Sequence, residues 1–257
     1  MGDSHIDRIR EQFTRTAQVY AQMRQATDAR GLQALVKLSG ASAKARTLDV
    51  ACGPGFLTMA FAAHCAAATG FDATDAFLGL ARTEAEGRGL CNVRFQQGDA
   101  ESLPFADASF DVVSCRAAFH HFPRPECVLA EMARVAKPGG RILVADLLGS
   151  EEAERAELHD RIEKLCDPTH VRALPASDFA RLFADAGLVT VHEVGSTLDY
   201  DLEDWIAHGA PGESARDEII SLMESCLESD RAGLRVRRED AHIRFSHRAA
   251  AYVLGRP

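Results

Sequence analysis

The sequence predicts an α/β protein with a parallel sheet, and three observations carry that reading. From Thr47 onward, short apolar runs alternate with helical patterns of about 10–15 residues, the pattern of βαβ units. The runs are solidly apolar rather than alternating, as strands buried on both faces are. One of them, in "LDVACGPGFLT" (Leu48–Thr58), stops at an aspartate and enters a loop in which two glycines flank a proline.

Taken in order, residues 5–38 read as helical. Ile6, Ile9, Phe13 and Ala17 recur near helical spacing, and "GLQALVKL" continues the pattern after Gly31. "FTRTAQVYAQM" is more mixed and reads as a mobile segment between two helices. "TLDVA" is a strand, "GFLTMAFAAHC" a helix, and "AAATGFD" a strand ending in Asp72. "TDAFLGLARTEAEGRG" is a helix with Phe77, Leu80 and Ala81 on one face and Gly87 and Gly89 near its stop. "NVRFQQGD" and "SFDVVSC" are strands. "PECVLAEMARVA" is a helix with Pro125 in its first turn and a Leu129, Met132 and Ala136 stripe, ended by "KPGG". "RILVADLL" is the fifth strand.

"SEEAERAELHDRIEKL" is a polar helix expected to project from the sheet. Its i,i+4 pairs are Glu151/Arg155, Glu157/Arg161 and Asp160/Lys164. "SDFARLFADAG" is a helix burying Phe179, Leu182 and Phe183, and "LVTVHEV" is a strand. Helices are expected at 201–209 and 213–230, and "RFSHRAAAYVLGRP" reads as a sheet-edge strand.

Composition narrows the function. The formal net charge is −9, so long-range attraction to nucleic acid or anionic lipid is not expected. The one local basic cluster, Arg231, Arg235, Arg237 and Arg238, reads as a solvated helix face. The seven cysteines are odd in number and show no CxxC spacing, against a disulfide framework or structural zinc site and consistent with a reduced, cytoplasmic protein. The N-terminal "MGDSHIDRIREQF" is charged and lacks an apolar signal core, and no apolar stretch approaches the roughly 20 residues of a membrane span.

In an open α/β sheet the ligand sits beyond the carboxyl ends of the strands, where strand order reverses. "ACGPG" is the loop at that point. Gly53 and Gly55 let the backbone bend and let a ligand lie against it. Neither a G-x-G-x-x-G nor a G-x-x-x-x-G-K-[ST] pattern is present. Asp49, just before the glycines, would repel a pyrophosphate and suits a ligand with a positive amine. Asp72 is placed for ribose hydroxyls, and Asp99, in "GDAESLPF", for an adenine amino group. Taken singly, Asp49 can cap a helix and Asp99 can form a turn. Together the three point to a phosphate-free nucleoside with a cationic end, the shape of S-adenosylmethionine.

"LDVACGPG", "GFDATDAFLGLAR", "GDAESLPF", "SFDVVSCRAAFHHF" and "VAKPGGRILVAD" closely resemble the class I S-adenosylmethionine-dependent methyltransferases, in the small-molecule group related to ubiquinone and menaquinone biosynthesis. The resemblance spans roughly residues 8–196. It implies a Rossmann-like, doubly wound, seven-stranded sheet, mostly parallel with one antiparallel strand near its end, formed with "LVTVHEV" and "RAAAYVLGR". It implies that Asp49, Ala51, Gly53 and Gly55 line the methionine part of the cofactor and that Asp72 holds the ribose. Ala73 and Phe77 would lie against the adenine, Asp99 and Ala100 would grip its edge, and Cys115 and Arg116, just past the fourth strand, would pass beneath. Tyr20 resembles a lid residue.

The expected organisation is a helical lid segment at 1–45 and a cofactor-binding core at 46–150. A helical insertion at 151–176 follows, and 177–257 completes the sheet, with a substrate-side insertion at about 200–240. The chain departs from the family pattern at Ala51, where a glycine is commonest, and in Asp199–Asp240, which matches no familiar pattern.

Methyl transfer from a sulfonium needs an aligned acceptor, exclusion of water and, for a weak nucleophile, a base. His121 and His120 are the candidate bases, because a histidine can lose its charge near neutral pH. His170 and Arg172, in "DPTHVRAL", resemble a phrase in relatives and are candidate pocket residues, or else a salt-linked loop. Trp205, Tyr200 and His208 are candidates to line a flat acceptor, with core packing the rival role for Trp205. No His/Cys/Asp set has metal-ligand spacing, so no metal is expected. The expected activity is methylation of a nitrogen, oxygen or activated carbon of a small, planar metabolite by a cytoplasmic monomer or homodimer. Two rivals are an NAD(P)-dependent oxidoreductase and a non-catalytic cofactor-binding module. The first lacks the third glycine and any Tyr-x-x-x-Lys: Tyr20, Tyr200 and Tyr252 are followed four residues on by Arg24, Asp204 and Arg256.

Overall fold

The structure is a computed structural model that describes residues 4–257; the first three residues of the charged N-terminal stretch lie outside the described residues. Three helices open the chain: α1 (His5–Tyr20), α2 (Arg24–Thr27) and α3 (Ala29–Leu38). Ser4 caps α1 by accepting from the Asp7 amide, and Asp28 caps α3 through the Arg30 and Gly31 amides, leaving fewer unpaired N–H groups at each start.

The alternating stretch follows as β1 (Arg46–Val50), α4 (Phe56–Ala62), β2 (Ala67–Asp72), α5 (Asp75–Gly87), β3 (Val93–Gln97), β4 (Phe110–Arg116), α6 (Pro125–Val135) and β5 (Ala136–Leu148). After it come α7 (Ala153–Cys166), α8 (Ala176–Asp185), β6 (Val189–Asp201), α9 (Leu202–Gly209), α10 (Glu213–Ser225), β7 (Arg237–Glu239) and β8 (His242–Gly255).

The sheet runs β3-β2-β1-β4-β5-β8-β6, parallel from β3 to β5. β8 is antiparallel to both neighbours, and the short β7 adds an eighth strand beside its start. β8 is therefore an interior strand, correcting its reading as a sheet edge. Its run of small and apolar residues, Ala249 to Leu254, is buried on both faces. The edge is β6, exposed along most of its length, with Val189, Val191 and Val194 at its surface.

Adjacent strand residues serve opposite layers. Val113, Val144 and Tyr252 pack with α6 and α8, while Val112, Leu143 and Val253 pack with α3 and α4. Burial on both faces is what made these strands read as unbroken apolar runs.

A third apolar cluster joins α7, α9 and α10 to the start of β8 through Ile162, Trp205, Met223 and Phe245. The polar helix α7 thus packs into a second small core and does not project freely. The three intrahelical pairs expected on it give way to other partners. Arg155 pairs with Glu152, Arg161 with Glu218 on α10, and Asp160 with His170. The basic cluster lies on the loop before β7 and on β7 itself, not on a helix. Arg237 pairs with Asp199 and Glu239, and Arg238 with Glu224. All seven cysteines are free thiols. Among the described residues no helix is long and apolar enough to cross a membrane.

Candidate active site

Strand order reverses between β1 and β4, and the loop after β1 sits at that reversal. Asp49 at the end of β1 is buried. Its Oδ2 accepts from Thr58 Oγ1 at 2.8 Å and its Oδ1 from Ser114 Oγ at 2.7 Å, tying β1 to α4 and β4. Burial pushes its carboxyl up to about 6, against those two hydrogen bonds.

The loop itself runs through left-handed backbone, with φ of 53° at Ala51, 52° at Gly53 and 77° at Gly55. A Cβ on Gly53 would meet nothing closer than Phe77 at 3.9 Å, on the open side of the loop. A Cβ on Gly55 would strike the Phe95 ring at 2.7 Å. Gly55 therefore serves close packing under the loop, and the cavity here is lined by its neighbours Gly53, Pro54 and Phe56.

Asp72 at the end of β2 is buried and fixes the same loop. Its Oδ2 accepts from the Gly53 amide and its Oδ1 from the Thr74 amide, both at 2.8 Å. Burial raises its pKa above the usual carboxylate value, and the hydrogen bonds from the amides only partly offset that. Asp99 is exposed at the rim, where its Oδ1 closes a turn by accepting from the Glu101 amide at 2.9 Å. Ala51, Ala73, Phe77 and Ala100 face the same cavity.

That cavity is about 840 Å³, at the upper end of the roughly 300–1,000 Å³ typical of small-molecule sites. α1 roofs it. His5 Nε2 donates to the His121 carbonyl at 2.8 Å, Arg10 Nε to the Ala73 carbonyl at 3.3 Å, and Gln12 Nε2 to the Gly209 carbonyl at 3.0 Å. Tyr20 and Phe13 pack on Phe77 with ring centroids 5.3 and 5.5 Å away. From below, Arg116 donates to the Gln25 and Ala26 carbonyls at 3.3 and 3.1 Å, holding α2 against the cavity. The segment read as mobile between helices is instead the end of α1 and a short turn, tethered at several points.

Cys115 and Arg116 have different surroundings: Arg116 lines the cavity and Cys115 does not. β4 continues through Arg116, and strand alternation turns Cys115 into the apolar core, where it is fully buried.

Beyond β4, a 3-10 turn (Phe119–His121) carries the two histidines. His120 Nδ1 stands 2.6 Å from Asp146 Oδ1. Asp146, at the carboxyl end of β5, also accepts from the Ala118, Phe119 and Leu147 amides. Burial alone would lower the affinity of His120 for a proton, but the charge and hydrogen bond of Asp146 outweigh it and raise its pKa. His121 behaves oppositely. Burial and then the charge of His120 lower it to about 3, so it is neutral near pH 7.

His170 is buried at the cavity wall, with Nε2 2.8 Å from Asp160 Oδ1. Arg172 is not with it. Its side chain is half exposed and pairs with Asp178 at 2.7 Å, as in the salt-linked-loop alternative, outside the residues that line the cavity. Trp205 packs edge-on against Phe245 in the third cluster and also reaches the cavity, as do Tyr200 and His208.

Two features escaped the sequence. Asp146 is a fourth acid at a strand tip, and its place at the end of "RILVAD" was the signal for it. The fold also gathers His159, Glu163 and His247 within ligand distance of one another, where no metal-ligand set was expected. Burial lowers His247 to about 4, against the nearby charge of Glu163. His159 and Glu163 stand one helical turn apart on α7, but His247 comes from β8, far away in the chain.

Comparison with known proteins agrees with this geometry. The family described as "Methyltransferase domain" matches residues 48–144. An uncharacterized methyltransferase of Bacillus subtilis, YcgJ, is 32% identical over 219 residues, 85% of this chain and 87% of that one. A ubiquinone/menaquinone biosynthesis C-methyltransferase of Azotobacter vinelandii, UbiE, is 38% identical over 130 residues, spanning 49% of this chain and 51% of its own. The crystal structure of a putative methyltransferase from Bacillus halodurans superposes with a TM-score of 0.82 at 30% identity, over 88% of this chain and 98% of that one. The matches favour neither the oxidoreductase nor the non-catalytic reading. With a matching methyltransferase core and a relative at this identity over most of both chains, the chain belongs to the class I S-adenosylmethionine-dependent methyltransferases.

Proposed function

We propose that the chain moves the methyl group of S-adenosylmethionine to a nitrogen, oxygen or activated carbon of a small, planar metabolite, a quinone precursor or a secondary metabolite. One observation carries this reading. A single cavity joins the acids at the tips of β1 and β2 to a part-buried His120–Asp146 pair. The name of the Azotobacter relative supports the quinone precursor, although the chain spans only about half of that protein.

In this reading residues 46–150 hold the cofactor, 1–45 cover it, and 151–176 with about 200–240 wall the acceptor side. Asp49 would face the ammonium group of the bound cofactor, whose charge would favour the ionised carboxylate. Asp72 has lone pairs left beside the two amides it already accepts from, and these receive the ribose hydroxyls. Phe77 and Ala73 take the adenine face, and Asp99 and Ala100 its edge. Tyr20, Phe13 and α1 exclude water. His120 would take the acceptor's proton, and Asp146 would hold the imidazolium that forms. Tyr200, Trp205 and His170 offer flat and polar walls to the acceptor. The partner is a small molecule and not nucleic acid, and the chain acts in the cytoplasm as a monomer or homodimer.

The test is release of S-adenosylhomocysteine from S-adenosylmethionine with a panel of phenols, quinols, N-heterocycles and 1,3-dicarbonyl compounds. Acceptor-dependent release, lost in His120→Gln, supports the reading. No release with any acceptor, from a protein that binds both cofactor forms, counts against catalysis.

A further inference from the structure

The mechanism leaves one buried cluster unused. Glu163 lies one turn beyond His159 on α7, and β8 brings His247 against both. Glu163 Oε1 is 3.2 Å from His247 Nε2 and 3.5 Å from His159 Nε2. The three ligand atoms lie within 4.8 Å of one another. Despite that proximity, Glu163 Oε1 and His159 Nε2 are buried and make no hydrogen bond among the described residues, and His247 Nδ1 is likewise unpartnered. A buried polar atom left without a partner destabilises the fold. Glu163 Oε1 and His159 Nε2 face each other at 3.5 Å, and two such atoms in one place, with His247 Nε2 beside them, call for a partner.

The spacing says which partner. Two ligands about 2.0–2.1 Å from a tetrahedral zinc ion stand roughly 3.4 Å apart. The two Glu163 distances bracket that value. A hydrogen-bonded ion pair would be closer, at about 2.7–2.9 Å.

We propose that His159, Glu163 and His247 bind one zinc-class divalent cation at the inner wall of the cavity. Two imidazoles and a carboxylate suit zinc or cobalt better than magnesium or calcium, which prefer oxygen ligands. Three protein ligands leave a fourth position open. Glu163 and His247 both line the cavity, so that position faces inward. Water fills it at rest. If the cavity is the acceptor chamber, and this step rests on that reading, a hydroxyl or carbonyl oxygen of the acceptor takes the water's place. Tyr200, with its ring centroid 5.3 Å from that of His247, borders the same spot.

The experiment uses the full chain stripped with a chelator. Zinc chloride is titrated in by calorimetry, and cobalt chloride is followed by visible absorption. S-Adenosylhomocysteine binding is measured on the same samples. One zinc per chain is expected, together with the strong visible bands of four-coordinate cobalt. Second-shell changes alone weaken metal sites about 10–100-fold, so losing a direct ligand in Glu163→Gln or His247→Gln should weaken zinc by at least about 100-fold. The exposed His192→Gln should leave zinc binding intact. Variants that still bind S-adenosylhomocysteine are folded; if one ligand variant does not, the other decides. Absence of stoichiometric zinc on the wild type, or affinity unchanged in a folded ligand variant, overturns the proposal. A chain that binds S-adenosylhomocysteine but not zinc overturns this inference alone and leaves the methyltransferase reading standing.

Discussion

Replacing Asp72 by alanine removes two functions at once, and the structure separates their sizes. A carboxylate offers about four lone-pair sites. In this protein two are taken, by the Gly53 and Thr74 amides at 2.8 Å each. The remaining two are the ones assigned to the ribose. A hydrogen bond to a charged group contributes about 1.5–3 kcal/mol. Asp72→Ala should therefore raise the dissociation constant of S-adenosylhomocysteine by about 10–150-fold. The two amides also lose their acceptor, and Thr74 is buried. Relief of the buried carboxylate's desolvation offsets part of that loss. A net cost of about 2 kcal/mol would lower Tm by about 4–8 °C in a chain of this size. Asp72→Asn keeps the shape but turns an NH2 group toward one of the two amides, so it should be impaired in the same direction. Calorimetric titration and thermal melts read the two effects independently. An unchanged dissociation constant in a folded Asp72→Ala protein would refute the placement of the ribose.

Other expectations follow from the same geometry. Asp49 titrates near 6 in the free protein, above an unfolded value of about 3.9, so its contribution to stability is present below about 4 and lost as pH rises through 6. Cofactor binding should run the other way, because the bound ammonium favours the ionised form: affinity should weaken about tenfold per pH unit below 6, and a flat profile by calorimetry would remove Asp49 from the amine site. His120→Gln should lower kcat about 10²–10⁴-fold without altering S-adenosylhomocysteine affinity, and a fall in affinity alone would assign His120 to the cofactor. Gly55→Ala places a Cβ 2.7 Å from the Phe95 ring at a φ of 77°, so it should cost about 2–5 kcal/mol in chemical denaturation, where a neutral result would show that the loop can move.

What could be read from the chain was whatever local pattern dictates. Apolar runs gave the strands of the core, and an acid followed by glycines marked the reversal of strand order, because both signals lie within a few residues. Long-range pairing gave less. Nothing in "RFSHRAAAYVLGRP" says that β8 inserts between β5 and β6, since an interior and an edge strand can share one composition. The charges of α7 looked like intrahelical pairs, yet Arg161 reaches α10 and Asp160 reaches His170, because helix packing brought competing partners closer. Cys115 and Arg116 are neighbours in sequence and opposites in space, as alternation along a strand requires. In the site, Asp49, Asp72 and His120 were visible as residue types at strand ends. The grouping of His159, Glu163 and His247 depends on α7 meeting β8, which no local spacing encodes.

The central claim is the identity of the ligand above the β1 loop. Calorimetric titration of the purified chain with S-adenosylmethionine, S-adenosylhomocysteine and NADH tests it most directly. Saturable binding of the first two at one site per chain, with no heat from NADH, is the result the structure predicts. Binding of NADH, or of none of the three, would contradict it.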